Sequence, residues 1–258
     1  IYTEAKAFET MPNRREPVSG YMLKYMISTR GTDPDSIAYA LTDFQILGYY
    51  ASLRLSEYAQ PSANTITLTR NKCAPKYFLL SDFAVYGPGM KHITQTHTQY
   101  LPHDTVSSAK AHFREQKNGN HGEKVLCQAN TDVPDMCPVN AMLRIRARAQ
   151  RLRRSPTAPV GVASQAGTVV LLHDAMIRKH IQTAAKAVYH ITSKTELARY
   201  SSHSARVGAC VRLHLAGKDP LFIQTRLRWR SNSFLLYLRN VAELAAQHNH
   251  AVTTTPFS

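Results

Sequence analysis

Acidic residues are scarce in this sequence. Its 258 residues carry 17 Asp and Glu against 32 Lys and Arg, a formal net charge of +15. No acid falls between Met136 and His173, between Leu197 and Lys218, or between Pro220 and Ala242. Without clustered carboxylates, a metal-dependent nuclease is a poor reading, because divalent ions need such oxygen ligands. Cysteine is sparse too: Cys73, Cys127, Cys137 and Cys210 form no C-x-x-C pair and follow no secretory signal. That argues against a zinc ribbon or disulfide scaffold and for reduced, intracellular thiols. His92, His97 and His103 are too loosely spaced to read as metal ligands, so a solvated loop is expected there. No apolar run approaches the roughly 18 residues of a membrane helix. The chain opens on Ile rather than Met, which suggests a fragment lacking an N-terminal part.

What is present is a globular composition, 43% hydrophobic and 19% charged, with long basic runs in the second half. A surface following a phosphate backbone fits those runs, and Arg144, Arg146, Arg148, Arg151, Arg153 and Arg154 are its densest part. Nucleic acid is therefore the expected partner, with neither a membrane nor a small-molecule substrate indicated.

Pattern along the chain predicts a mainly helical α+β architecture with a small antiparallel sheet. Residues 1–20, ending in "PNRREPVSG", read as an interdomain linker, and residues 21–258 as one domain. Helical periodicity begins near Tyr21 and resumes after Asp33 or Asp35, either of which suits an N-cap. "NTITLTR" and "KYFLLSDFAVYG" are β-prone. A hairpin is expected over 105–130, turning at "NGNHG". A helix should start after Cys137-Pro138, with "SPTAPVGVASQAG" as a loop beyond it. Helices are expected over 168–190 and 204–216, the latter closed by Gly217. Asp219-Pro220 should cap "LFIQTRLRW", and Ser231 or Ser233 the helix bearing Tyr237.

The stretch "YSSHSARVGAC" places His203 and Arg206 three residues apart at a helix start. Side chains at that spacing are neighbours, and a helix N-terminus favours anions. A guanidinium offers bidentate contacts to phosphate oxygens, and an imidazole moves protons near neutral pH. The order His203, Arg206, Gly217, Trp229, Tyr237 resembles the C-terminal motif of the tyrosine recombinases, the Cre and phage-integrase family. "HSARVGA" is especially close to the Cre-type version. In "YYASLRLSEYA", Arg54 matches the family's first arginine box and Glu57 its acidic companion. Lys117, at the hairpin turn, matches the family's catalytic lysine, with Lys124 on the opposite arm as the competing candidate. The resemblance covers roughly residues 12–240, the family's catalytic domain without its N-terminal DNA-clamping domain. The insertion between Arg54 and Lys117, with "KYFLLSDF" and "CPVNAMLRIRAR", is similar to recombinases of DIRS-type retrotransposons. Two positions depart from the pattern: Leu227 and Ser52 stand where the family commonly has glycine.

The resemblance implies a metal-, cofactor- and ATP-independent strand transferase acting as a homo-tetramer on double-stranded DNA. Arg54 and Arg206 would clamp the scissile phosphate, with His203 and the Trp229 indole completing the cage. Tyr237 would attack to give a 3′-phosphotyrosine, Lys117 would protonate the 5′-oxygen, and Glu57 would support the site. Integration of a mobile element is the expected role, in the nucleus if the host is eukaryotic and otherwise in the cytoplasm or nucleoid. A type IB topoisomerase shares the chemistry, but that family lacks the histidine of this H-x-x-R and usually has His at the Trp229 position. A catalytically decayed DNA-binding relative is the non-enzymatic alternative.

Overall fold

In a computed structural model of the chain, residues 15–65, 67–69, 75–93, 105–116, 121–238, 246, 249–250 and 253–254 are described. Lys117, Cys73, His97, His103 and most of the tail after Tyr237 lie outside them. The described elements are helices α1 (Gly20–Thr29), α2 (Ile37–Ala51) and α3 (Leu55–Tyr58), then strands β1 (Phe83–Tyr86), β2 (Ser108–Phe113) and β3 (Glu123–Gln128). Next come α4 (Pro138–Arg151), β4 (Val162–Gln165), β5 (Thr168–Leu171), α5 (Asp174–Tyr189), α6 (Lys194–Leu197), α7 (Ser204–Leu215), α8 (Pro220–Arg226) and α9 (Leu235–Leu238). The mainly helical α+β reading holds. No described helix is long and apolar enough to cross a membrane.

α2 is the centre of the molecule. Its residues from Ala40 to Gly48 are all buried, because α1, α4, α5 and α7 surround it. Such all-round burial explains why its sequence is apolar on more than one face. Its N-cap is Ser36, whose hydroxyl accepts from the Tyr39 amide, rather than Asp33 or Asp35. Asp35 instead accepts from Arg151, 2.7 Å away. The β1–β2–β3 sheet is antiparallel, with β2 central and Ala111 opposite Phe83 on one side and Val125 on the other. Its buried side chains, Val85, Ala109, Ala111, Phe113, Val125 and Cys127, belong to the same core as α2.

Three expectations fail for local reasons. The loop expected after Arg154 contains β4, and the helix expected from residue 168 begins with β5; the two strands form a hairpin. Ala166 (φ 48) and Gly167 (φ 79) make its two-residue turn, both left-handed as such turns require. α5 then starts only at Asp174. Among the described residues of "NTITLTR", Thr65 and Leu68 form isolated bridges. The basic run on α4 is largely consumed inside the protein. Arg144 and Arg148 bracket the fully buried Asp43, Arg146 donates to the Phe83 carbonyl, and Arg151 pairs with Asp35. Of that cluster, Arg151 and Arg153 are exposed.

A second, smaller core lies between α7, α8 and α9. It contains Val207, Cys210, Val211, Ile223, Leu227, Phe234 and Leu238, with Trp229 and Tyr237 packed against it. α7 belongs to both cores, since Ala205 faces the first and Val207 the second. The described part of the expected linker is tied to α7 rather than free. Val18 is buried and donates to the Ser204 carbonyl (2.9 Å), and Glu16 donates to that of Arg199 (3.0 Å).

Candidate active site

The candidate residues meet at the seam between the two cores. α2 ends at Ala51, and Ser52 turns the chain through the left-handed region (φ 53, ψ 52). Arg54 thereby becomes the N-cap of α3, and Glu57, at its third position, reaches back to accept from the Arg54 amide at 2.7 Å. That cap by the Glu57 carboxylate, with the Glu57 amide donating to the Arg54 carbonyl (2.9 Å), explains the three-residue spacing of Arg54 and Glu57. The same carboxylate also takes the Arg54 side chain, at 3.1 Å.

From the other side comes α7. His203 occupies its N-cap without making a side-chain cap bond, which leaves its ring free to face the seam. Arg206, one turn on, is buried to 2%. It donates to the Ser52 carbonyl (2.6 Å) and the Arg228 carbonyl (3.2 Å), and its guanidinium lies 4.1 Å from the Trp229 ring centre. Arg54 donates to the same Arg228 carbonyl at 3.3 Å. The two arginines, 152 positions apart, thus converge on one oxygen.

Tyr237 and Trp229 close the group. The Tyr237 hydroxyl lies 3.4 Å from His203 Nε2. The rings of His203, Trp229 and Tyr237 form a triangle with centre separations of 6.1, 6.0 and 5.8 Å. The Trp229 indole N–H is buried and finds no acceptor among the described residues, although buried donors are normally paired.

Charge in this group is unbalanced. Glu57 is the carboxylate shared by Arg54 and Arg228, and Arg206 joins them through carbonyls only. Burial first, then the Arg54 and Arg228 guanidiniums, push Arg206 down to about 9. A guanidinium keeps its proton at neutral pH even so. Burial, followed by Arg206, Arg54 and Arg15, holds His203 down at about 4. Its imidazole is therefore neutral at pH 7 and able to accept a proton.

The structure brings together Arg54, Glu57, His203, Arg206, Trp229 and Tyr237. Lys117 lies outside the described residues. Its chain neighbour Gln116 touches the site, accepting from Arg54 (3.2 Å) and Arg228 (2.7 Å). The rival Lys124 is exposed on β3 opposite His112. Two residues of the site, Arg228 and Gln116, were not expected. Arg228 sits in an acid-free "RLRWR" run and reads as one more surface cation. Only its 3% exposure reveals otherwise. No group of three or more His, Cys, Asp or Glu side chains able to hold a metal occurs among the described residues.

No protein-family model matches the chain, and no curated protein does. Among solved structures, the chain is similar to the integrase of the Tn1549 transposon in complex with transposon right end DNA. That match has 14% identity and a TM-score of 0.45, covering 96% of this chain and 68% of the other. It is also similar to XerA recombinase, at 14% identity and a TM-score of 0.48 over 96% of this chain and 68% of that one. A further match is the same integrase with circular intermediate DNA, at 14% identity and a TM-score of 0.45.

Proposed function

We propose that this chain is the catalytic domain of a tyrosine-type DNA recombinase. The observation that carries the reading is the convergence of Arg54, Arg206, His203, Trp229 and Tyr237 on one point with surplus buried positive charge. A core normally avoids unpaired charge. A phosphodiester placed there would supply the missing anion and an acceptor for the Trp229 N–H. The two guanidiniums would then stabilise charge on the non-bridging oxygens, the role metal ions play elsewhere.

In the reaction, the Tyr237 oxygen attacks phosphorus and its proton passes to neutral His203. The bond from phosphorus to the 5′-oxygen breaks, and Lys117 delivers the proton that oxygen needs. The product is a 3′-phosphotyrosine and a free 5′-hydroxyl; attack by another 5′-hydroxyl reverses the steps and rejoins strands. Integration of a mobile element is the use this chemistry best fits, in the nucleus if the host is eukaryotic and otherwise in the cytoplasm or nucleoid. The grouping of Arg54, His203, Arg206, Trp229 and Tyr237 supports an active enzyme over a decayed DNA-binding relative, despite Leu227 and Ser52.

Tyr237→Phe tests the reading. The substitution removes one hydroxyl and almost no volume, so DNA binding should stay within about threefold of wild type. The covalent protein–DNA species that survives denaturation should disappear, and in wild type it should form equally well in EDTA. An adduct that persists in the variant, or that wild type forms only with magnesium, would sink the proposal. Assembly on DNA is expected to be tetrameric; sedimentation of the chain on duplex ends showing monomers alone would remove that part.

A further inference from the structure

Arg228 has no place in the chemistry above, yet it is the most heavily bonded side chain of the site. Its two terminal nitrogens meet Glu57 fork to fork, Nη1 to Oε1 at 3.0 Å and Nη2 to Oε2 at 3.1 Å. Nη1 also donates to Gln116 Oε1 (2.7 Å), and Nη2 to the carbonyls of Ala51 and Ser52 (3.1 Å each). The guanidinium carbon lies over Phe113, 3.5 Å from the ring centre. Its backbone is left-handed (φ 58), a conformation a residue with a Cβ holds only when its surroundings enforce it. The carbonyl of this residue is the oxygen on which Arg54 and Arg206 converge.

We infer that Arg228 is the positioning residue of the anion site: it neutralises Glu57 and fixes the carbonyl that aligns Arg54 with Arg206. Glu57 caps α3 and cannot be dispensed with locally, but its charge lies 3.1 Å from the Arg54 guanidinium. Facing Arg54 alone, that carboxylate would cancel the charge meant for phosphate. Arg228 takes both of its oxygens from behind, the side away from solvent, and leaves Arg54, 19% exposed, with positive charge to offer. A bidentate fork is needed for this, which lysine cannot provide. Gln116, held by Arg228 and Arg54 together, extends the arrangement into the segment after β2, to the residue before Lys117. The inference rests on reading Arg54 and Arg206 as the phosphate clamp.

Trp229, the sole tryptophan of the chain, lies under Arg206 and reports on the site by its emission. The full chain is titrated with inorganic phosphate, following that emission. Wild type should respond saturably, and Arg228→Met should bind phosphate at least about tenfold more weakly. Arg228→Lys should remain close to Arg228→Met, because charge without the fork does not occupy both Glu57 oxygens. The double variant Arg228→Met with Glu57→Gln should return to within about threefold of wild type, since no carboxylate is left to oppose Arg54. If Arg228→Met does not fold, the comparison passes to Arg228→Lys and the double variant, which removes the buried Glu57 charge together with its Arg228 partner. The lysine variant should then be the weaker binder. Wild-type affinity in Arg228→Met or Arg228→Lys, a double variant no better than either single one, or a wild type whose emission ignores phosphate would each overturn the inference. A wild type that binds phosphate normally but forms no covalent DNA adduct would instead defeat the recombinase reading while leaving the role of Arg228 intact.

Discussion

His203 and His180 are both held neutral by their surroundings, and this couples stability to pH. Burial pushes His180, whose ring lies 3.3 Å from the Thr42 hydroxyl, down to about 4. His203 is held equally low, by burial first and then by Arg206, Arg54 and Arg15. Both side chains ordinarily titrate at 6.5. As pH falls through 6.5 the unfolded chain takes up protons that the folded chain refuses. Their contribution to stability is therefore complete above pH 6.5, declines as pH falls from there toward 4, and levels off below. Urea denaturation at pH 7.5, 6 and 4.5 should show this decline, and a variant with both histidines changed to Gln should show a flatter one. An identical slope in the two proteins would contradict the assignment. At pH 7, the same shift leaves His203 unprotonated beside the Tyr237 hydroxyl.

At the level of elements, α7 is the part on which the site depends. It presents Ala205 to one core, Val207, Cys210 and Val211 to the other, and His203 and Arg206 to the seam between them. Close approach on two sides sets its position. Gly48 of α2 meets Ala205, and Gly208 lies against the chain at Val18, where an added Cβ would fall 2.1 Å from a carbonyl oxygen and 3.1 Å from the Tyr49 ring. Backbone cannot yield as a flexible side chain can. Gly208→Ala should therefore cost about 2 kcal/mol or more of stability, read from the denaturation midpoint. Loss of DNA cleavage should accompany it, because α7 must move away from residues 15–19 and carry Arg206 with it. A variant with unchanged stability would show that this contact is not tight.

For the molecule as a whole, the surplus charge of +15 has two destinations. Part is internal, as in the pairing of Arg144 and Arg148 with Asp43. The remainder is available to a phosphate backbone, so binding to duplex DNA should be strongly salt-dependent. An affinity loss of about a hundredfold or more between about 50 and 200 mM salt is expected if four or more phosphates are neutralised. Fluorescence anisotropy with a labelled duplex measures it, and a flat dependence would remove nucleic acid as the main partner.

By itself the sequence determined the helical class and the hairpin of β2 and β3, and resemblance to a family motif singled out six residues that the fold brings together. Each of these rests on local physics: periodicity, turn chemistry, caps, and a motif whose spacing survives along one stretch of chain. Gly217 (φ 72) and the Asp219 cap on α8 are of this kind. Arg148 and Arg228 are not. Both sit in basic runs that look solvent-facing, and both are buried because a partner far along the chain, Asp43 or Glu57, meets them in the core. Likewise β4 and β5 follow from a two-residue turn and from pairing across it, in a segment whose composition suits loop and helix equally. Whether an arginine faces DNA or a buried carboxylate is decided by what lies opposite it after folding, and only the tertiary structure brings Ser52, Glu57 and Gln116 to Arg228.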